Sequence, residues 1–151
     1  MRRAVNATKQ QETAIKHDTL IQALNHQLNR EVTTFLRYML QAAAIKGAAH
    51  EPVRQMYLAE VADEVGHAQY LANQIRMLGG KPDLKPDLTA PPEDVAAMLA
   101  ADVEQERTDV ANYVKLAAQA EAAGLYSLKM KMEEQAADED EHSHEMRRLL
   151  G

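Results

Sequence analysis

An internal repeat constrains this chain more than any other feature, because a pattern in its first half returns 75 positions later in its second half. In each half a Glu is followed seven residues later by a Tyr, and further on by an Asp-Glu-x-x-His segment. The matched pairs are Glu31 and Glu106, Tyr38 and Tyr113, Asp63 and Asp138, Glu64 and Glu139, and His67 and His142. Five matches at one offset indicate two copies of one structural unit.

Each copy contains two segments whose apolar residues recur at helical spacing. The predicted helices A, B, C and D span about residues 13–45, 52–79, 93–124 and 125–149. Gly47 and Gly124 supply stop signals, and Pro52 suits the first turn of helix B. The chain is rich in Ala, Leu and Glu and has one Phe and no Trp, a composition that favours helix over strand. The class is therefore predicted to be all-α.

The two halves are joined by residues 81–92, which contain four prolines and cannot be helical throughout. This segment is long enough to cross the length of a bundle. Short turns within each half and one long crossover between them predict a four-helix bundle with a long B–C crossover. A chain of 151 residues has room for one such domain, expected at 13–151, after a flexible basic tail at 1–12.

Composition excludes several classes of protein. The absence of Cys excludes disulfides and thiolate metal sites, so any metal must be held by carboxylates and imidazoles. No stretch approaches the roughly 20 apolar residues of a membrane span, and we expect a cytoplasmic protein without a membrane partner. The net charge of -6 argues against DNA as a main partner, despite the basic tail.

The repeated residues are placed to meet in the bundle interior. Positions three apart lie on nearly the same helical face, so Glu64 can act with His67, and Glu139 with His142, on one ion. Even one unpaired buried charge costs several kcal/mol, so four clustered carboxylates need compensating cations. The predicted metal ligands, and with them the catalytic residues, are Glu31, Glu64, His67, Glu106, Glu139 and His142.

These ligands suit two Fe ions per chain, with Mn as a second candidate, and do not match calcium or structural zinc sites. We expect Glu64 and Glu139 to bridge both ions. Asp63 and Asp138 are candidates to accept the second ring N–H of a ligating His. Glu141 and His144 also have Glu-x-x-His spacing but lie outside the repeat, so a surface position is predicted for them.

The same residues resemble the bacterioferritin family of the ferritin-like superfamily over about residues 18–142. The resemblance is carried by residues 29–31 (Asn-Arg-Glu), 63–68 (Asp-Glu-Val-Gly-His-Ala), 93–106 and 138–142 (Asp-Glu-Asp-Glu-His). It implies a ferritin-like bundle, assigns Glu106 rather than Glu104 as the ligand, and makes Tyr38 the tyrosine of the site. A redox part for Tyr38 and a hydrogen-bonding part both remain open.

Three departures limit what the resemblance implies. Val65 stands where the family has its haem-ligating Met, so haem is not expected. Ala59 replaces an inner-surface His, which puts an iron relay there in question. Only nine residues follow His142, so the family's fifth helix is missing, and a dodecamer competes with the twenty-four-subunit shell as the expected homo-oligomer.

The expected function is a ferroxidase that oxidises Fe(II) to Fe(III) with O₂ or H₂O₂, for iron storage or detoxification in a hollow shell. A rubrerythrin-like peroxidase or a manganese catalase would use nearly the same ligands. A Dps-like structural, DNA-protecting protein is a further alternative, in which the basic tail would contact DNA.

Overall fold

A computed structural model of the chain describes the backbone of residues 2–151 and most side chains, leaving out those of residues 2–7, 10, 13, 15 and 16. Within this range there are four long helices and no strand. The elements are α1 (Arg2–Ala44), α2 (Glu51–Met77), α3 (Val95–Ala122) and α4 (Tyr126–Leu150), with a short 3₁₀ turn at Ala48–His50 before α2.

The helix ends follow local chemistry. Gly79 and Gly124 adopt left-handed φ angles of 84° and 74°, which only glycine reaches without strain. The N–H of the next residue then bonds five positions back, from Gly80 to Ile75 and from Leu125 to Ala120. These bonds close the last turns of α2 and α3. At the start of α3, the Asp94 carboxylate accepts from the N–H of Ala97 at 2.8 Å and caps the helix.

The long crossover between α2 and α3 is tied to α1 by side chains one helical turn apart. Asn25 accepts from the backbone N–H of Asp83 at 2.8 Å, and the Asn29 amide donates to the Asp83 carbonyl at 2.8 Å. One turn further on, the Thr33 hydroxyl accepts from the N–H of Asp87 at 2.9 Å. The irregular segment therefore obtains its hydrogen bonds from α1 and is held along that helix.

The core is divided into two apolar clusters, with a belt of buried polar residues between them along every helix. One cluster contains Leu24, Leu71, Leu116 and Met132, and the other contains Tyr57, Met98 and Met146. Burial of the apolar side chains supplies the main driving force for folding. The polar belt instead needs a chemical explanation, because polar groups are buried only at a cost.

The predicted four-helix bundle with a long crossover is confirmed, and the predicted bounds of helices B, C and D lie within about two residues of those observed. Helix α1 begins at Arg2 rather than near residue 13. Flexibility of residues 1–12 stays a prediction, since most of their side chains are outside the described residues. Met39 belongs to the apolar residues that recur at helical spacing in helix A, a pattern that predicts a core position; this prediction is wrong, because Met39 is 49% exposed. Among the described residues, no helix is long and apolar enough to cross a membrane.

Candidate metal centre

Within the polar belt, a cluster of six side chains contains one glutamate from each of the four helices and one histidine from each of α2 and α4. Every one of the four carboxyl groups belongs to a residue that is only 1% exposed, and the two histidines are 7% and 8% exposed. The six residues are the sequence-predicted ligands Glu31 on α1, Glu64 and His67 on α2, Glu106 on α3, and Glu139 and His142 on α4.

These six side chains form two overlapping groups, each of a size that can hold one metal ion. Candidate ligand atoms within each group lie within 4.8 Å of one another. The first group contains Glu31, Glu64, His67 and Glu139, and the second contains Glu64, Glu106, Glu139 and His142. Only Glu64 and Glu139 belong to both groups, so they occupy the positions from which a carboxylate can bridge two ions.

Both imidazole rings turn the same nitrogen toward this cluster. His67 Nδ1 lies 2.8 Å from Glu139 Oε1 and 3.6 Å from Glu64 Oε2. His142 Nδ1 lies 3.2 Å from Glu139 Oε2 and 3.5 Å from Glu64 Oε1. Each His is thus placed to offer its Nδ1 lone pair to one ion while its Nε2 faces outward.

The unsatisfied atoms of the cluster fit a pair of divalent cations. Both carboxylate oxygens of Glu64, Oε2 of Glu106, Oε1 of Glu139 and Nδ1 of His67 are buried; other members of the cluster lie near them, but none of these atoms is in a well-directed hydrogen bond in the described part of the chain. Buried polar atoms left without partners are rare and costly, and these all lie in one cluster. Hard oxygen ligands with one nitrogen per ion suit Fe(II) or Mn(II). The cluster is therefore compatible with iron binding.

In this cluster of carboxylates, bound protons can offset negative charge in the way that cations would. Burial and the charge of Glu64 raise the pKa of Glu31 well above its usual range, and burial and Glu139 do the same to Glu106. Burial lowers the pKa of His67, but its bonds to Glu139 and Glu64 outweigh this and raise the pKa to about 10. Similar bonds raise the pKa of His142 strongly against the effect of burial.

Glu64 and Glu139 show the opposite behaviour. Burial would raise the pKa of both, yet hydrogen bonds from neighbouring carboxyl and imidazole groups lower it. With Glu31 and Glu106 protonated, both histidines in the imidazolium form, and Glu64 and Glu139 ionised, the cluster has no net charge. Two divalent cations with four carboxylates and neutral imidazoles also give no net charge, so metal binding would exchange protons for ions without charging the interior.

Two buried tyrosines each donate a hydrogen bond to a candidate ligand carboxylate in the other half of the chain. The Tyr38 hydroxyl on α1 donates to Glu106 on α3, and the Tyr113 hydroxyl on α3 donates to Glu31 on α1. Both rings are fully buried. Each phenol therefore orients the terminal carboxylate of the opposite half and occupies one of its lone pairs.

Asp63 and Asp138, which precede the shared glutamates, each lie near the histidine of the other half. His67 Nε2 lies 3.4 Å from Asp138, and His142 Nε2 lies 3.7 Å from Asp63. Both aspartates line a cavity of about 560 Å³ between α2 and α4 that reaches the two imidazoles. Glu141 and His144, which have the same spacing but lie outside the repeat, are exposed.

Sequence reasoning missed a set of buried polar residues around the centre. Asp102 accepts from Arg37, Gln41 and Tyr57 at 2.8, 2.9 and 2.7 Å. Asp109 accepts from Gln27 at 2.8 Å and from both Nε and Nη2 of Arg30. Glu60 is buried beside His142. Helical spacing from the predicted ligands could have found all three, because Glu60 precedes Glu64 by four residues, Asp102 precedes Glu106 by four and Asp109 follows Glu106 by three.

Comparison with known proteins agrees with this geometry. The ferritin-like domain family matches residues 21–151. A ferritin-like, di-iron-carboxylate protein from Bacillus anthracis str. Ames superposes with a TM-score of 0.86 and 34% identity, over 90% of this chain and 98% of that one. A search of curated proteins found no significant match.

Two more distant structures share the fold. The dodecameric thioferritin of Bacteroides fragilis has a TM-score of 0.82 and 24% identity over 93% of this chain and 92% of its own. The bacterioferritin of Desulfovibrio desulfuricans has a TM-score of 0.83 and 19% identity over 91% and 81%.

A long-crossover bundle with a buried Glu/His cluster at its middle defines the class of ferritin-like, di-iron-carboxylate folds. With the family match extending over residues 21–151, this chain belongs to the ferritin-like domain family.

Proposed function

We propose that this protein is a di-iron ferroxidase, which binds two Fe(II) ions side by side and oxidises them to Fe(III) with O₂ or H₂O₂. The ligands in this proposal are Glu31, Glu64, His67, Glu106, Glu139 and His142, with Tyr38 holding Glu106 in place. Iron storage or detoxification is the role that such a reaction would serve.

One observation carries the proposal, namely that two complete four-residue groups share Glu64 and Glu139. Shared carboxylates hold two ions close together, so that one oxidant can take an electron from each. A single-ion site would need only one of these groups. The sharing is difficult to explain by structural requirements alone, since it concentrates four carboxyl groups at one buried point.

The reaction balances with the groups at hand. Two Fe(II) ions give two electrons, which with two protons convert O₂ to H₂O₂, or H₂O₂ to two molecules of water. The carboxylates hold the ions and favour the product, because hard oxygen ligands stabilise Fe(III) relative to Fe(II). The cavity between α2 and α4 gives a polar approach to the imidazoles for ions and oxidant.

We further propose that the protein forms a cytoplasmic homo-oligomeric shell in which the ferric product collects. An exposed apolar surface supports assembly: Met39 is 49% exposed, Leu40 53% and Leu88 76%, along α1 and the adjoining crossover. Contiguous apolar surface of this kind marks interaction sites. Native mass spectrometry would distinguish a dodecamer from a twenty-four-subunit shell, and a monomer at micromolar concentration would contradict this part of the proposal.

Anaerobic loading of the metal-free protein with two Fe(II) ions per chain, followed by exposure to O₂ or H₂O₂, tests the ferroxidase proposal. Fe(III) formation is followed by near-ultraviolet absorbance, and oxygen uptake by an electrode. The matched variants are His142→Ala and His144→Ala, which each remove the His of a Glu-x-x-His pair on α4. The first should abolish fast oxidation and the second should leave it unchanged. Equal rates in both would contradict the proposal.

The same preparations separate the alternatives. Rapid H₂O₂ dismutation by the Mn(II)-loaded protein, with slow Fe(II) oxidation, would indicate a manganese catalase, and peroxide reduction with an external donor would indicate a peroxidase. Retention of DNA that disappears when residues 1–12 are removed would instead favour the Dps-like role.

A further inference from the structure

The repeat breaks at a buried position next to the candidate metal centre. Glu60 on α2 precedes Glu64 by four residues, and the position 75 residues later is Gln135 on α4, which precedes Glu139 by the same spacing. Both residues are buried, with exposures of 5% and 0%. One half thus has a carboxylate where the other half has a neutral amide of the same shape.

Glu60 lies against the outward nitrogen of a ligand from the other half. Its Oε2 is 2.7 Å from His142 Nε2, whereas the nearest alternative, Asp63 Oδ2, is 3.7 Å from the same nitrogen. The side chain of Glu60 is 7% exposed and that of Asp63 is 61% exposed. The closest carboxylate to this imidazole is therefore also the one shielded from water.

His67 has no comparable partner in the described part of the chain. Its Nε2 lies 3.4 Å from Asp138, whose side chain is 43% exposed. Gln135 lines the same cavity as His67, but neither its amide nitrogen nor its oxygen has a hydrogen-bond partner among the described residues. Among the described residues, the outward nitrogen of this imidazole therefore contacts only a more distant carboxylate that is partly exposed to solvent.

Glu60, Asp63 and His142 also lie close enough together to suggest a third metal site. The number of lone pairs on the His142 imidazole argues against a third metal site. A neutral imidazole has one lone pair, and His142 turns Nδ1 toward the glutamate cluster. When Nδ1 binds an ion there, Nε2 carries the proton and donates it in a hydrogen bond. Glu60 is then an acceptor for that proton rather than a metal ligand.

We propose that Glu60 is a positioning residue that makes the two metal positions unequal, so that the ion held by Glu106 and His142 binds more tightly than the ion held by Glu31 and His67. This inference rests on the proposed two-metal function. A buried carboxylate on the outer nitrogen fixes the tautomer and ring orientation of a ligating His and increases its basicity. Exposed Asp138 gives His67 much less of this support, because water screens its charge.

Titration of the metal-free protein with Co(II), followed by visible absorbance without oxygen, measures both affinities. The wild-type protein should bind two ions per chain in two resolved steps. Glu60→Gln keeps the shape of the side chain and should weaken the tighter step about 10- to 100-fold, bringing the two steps together. Gln135→Glu should have the opposite effect on affinity and strengthen the weaker step. Asp63→Asn, which alters the exposed and more distant carboxylate, should change either step by less than about threefold.

Histidine NMR assigns the steps to residues. With one equivalent of Zn(II), the imidazole signals of His142 should shift before those of His67, and Glu60→Gln should remove this order. Retention of the order in Glu60→Gln, or an unchanged weaker step in Gln135→Glu, would overturn the role of Glu60 while leaving the two-metal site intact. Failure of the wild-type chain to bind two ions would instead overturn the proposed function. Circular dichroism of each variant checks that the bundle is retained.

Discussion

The two halves of the chain agree in the candidate ligands and tyrosines of the metal centre and differ in the residues through which α1 and α3 contact each other. Tyr38 bonds to Glu106 while Tyr113 bonds to Glu31, so each half repeats the contribution of the other. Away from the centre this equivalence is lost: α1 supplies arginines and glutamines, and α3 supplies the aspartates that accept from them.

This difference separates two tasks. Repeated residues serve the site, because two similar ions need similar ligands. Unrepeated residues serve recognition between helices: Arg37 and Asp102 form an ion pair, whereas their repeat counterparts Asn112 and Gln27 form an uncharged hydrogen bond of 3.0 Å. A perfectly repeated chain would give α1 and α3 identical surfaces, which could pair in more than one way. The departures from repetition specify one arrangement.

The strongest test of equivalence replaces the shared ligands one at a time. Glu64→Gln and Glu139→Gln should each lower the rate of Fe(II) oxidation more than about 100-fold, because each carboxylate belongs to both metal groups. The two losses should be similar in stopped-flow measurements. Glu141→Gln, an exposed neighbour on α4, serves as the control. A large loss in only one of the two shared positions would show that a single ion is sufficient for the reaction.

The unrepeated contacts are tested by Asp102→Ala. This change leaves Arg37, Gln41 and Tyr57 without their common acceptor, and should lower the free energy of unfolding by about 3 kcal/mol in urea denaturation. Glu104→Ala on the same helix removes an exposed pair with Arg107 and should cost under about 0.5 kcal/mol. Equal effects of the two changes would mean that the buried pairing does not stabilise the bundle.

The pH dependence of metal affinity provides a test that involves both halves together. The raised pKa values of Glu31, Glu106, His67 and His142 mean that these groups bind protons which a metal ion must displace. Metal affinity should therefore rise with pH, about tenfold per pH unit for each proton released, through the His67 pKa of about 10 and beyond it, because the pKa of His142 is raised more strongly. A pH indicator in weakly buffered solution would count the protons. Release of none would contradict this proton inventory.

The smallest expected effect compares the two tyrosines. Tyr38→Phe and Tyr113→Phe each remove one donor from a terminal carboxylate, and should weaken metal binding at the corresponding position about tenfold. Isothermal titration with Co(II) would measure this change. Fe(II) oxidation distinguishes the two roles considered for Tyr38: similar slowing in both variants indicates positioning, whereas loss of a radical signal in only Tyr38→Phe indicates electron transfer.

Much of this architecture could be predicted from the sequence, because helices are local. Spacings of three and four residues define one face of a helix, so the repeat identified the residues now found clustered in the interior, including Glu31 and Glu106. The proline-containing segment likewise showed where the two halves are joined. The helical faces and the position of the join depend on residues close together in the chain, and the helix ends were predicted to within about two residues except at the start of α1, which begins at Arg2 rather than near residue 13.

Only the tertiary structure decided which faces meet. It placed Glu60 on His142, buried Asp102 and Asp109 among side chains of α1, and left Met39 exposed on a face that periodicity assigned to the core. Helical periodicity identifies the side chains that share a face, but not the neighbour opposite that face or the depth at which the face is buried. The candidate ligands could therefore be predicted from the sequence pattern, whereas the partners that contact them depend on how the four helices pack.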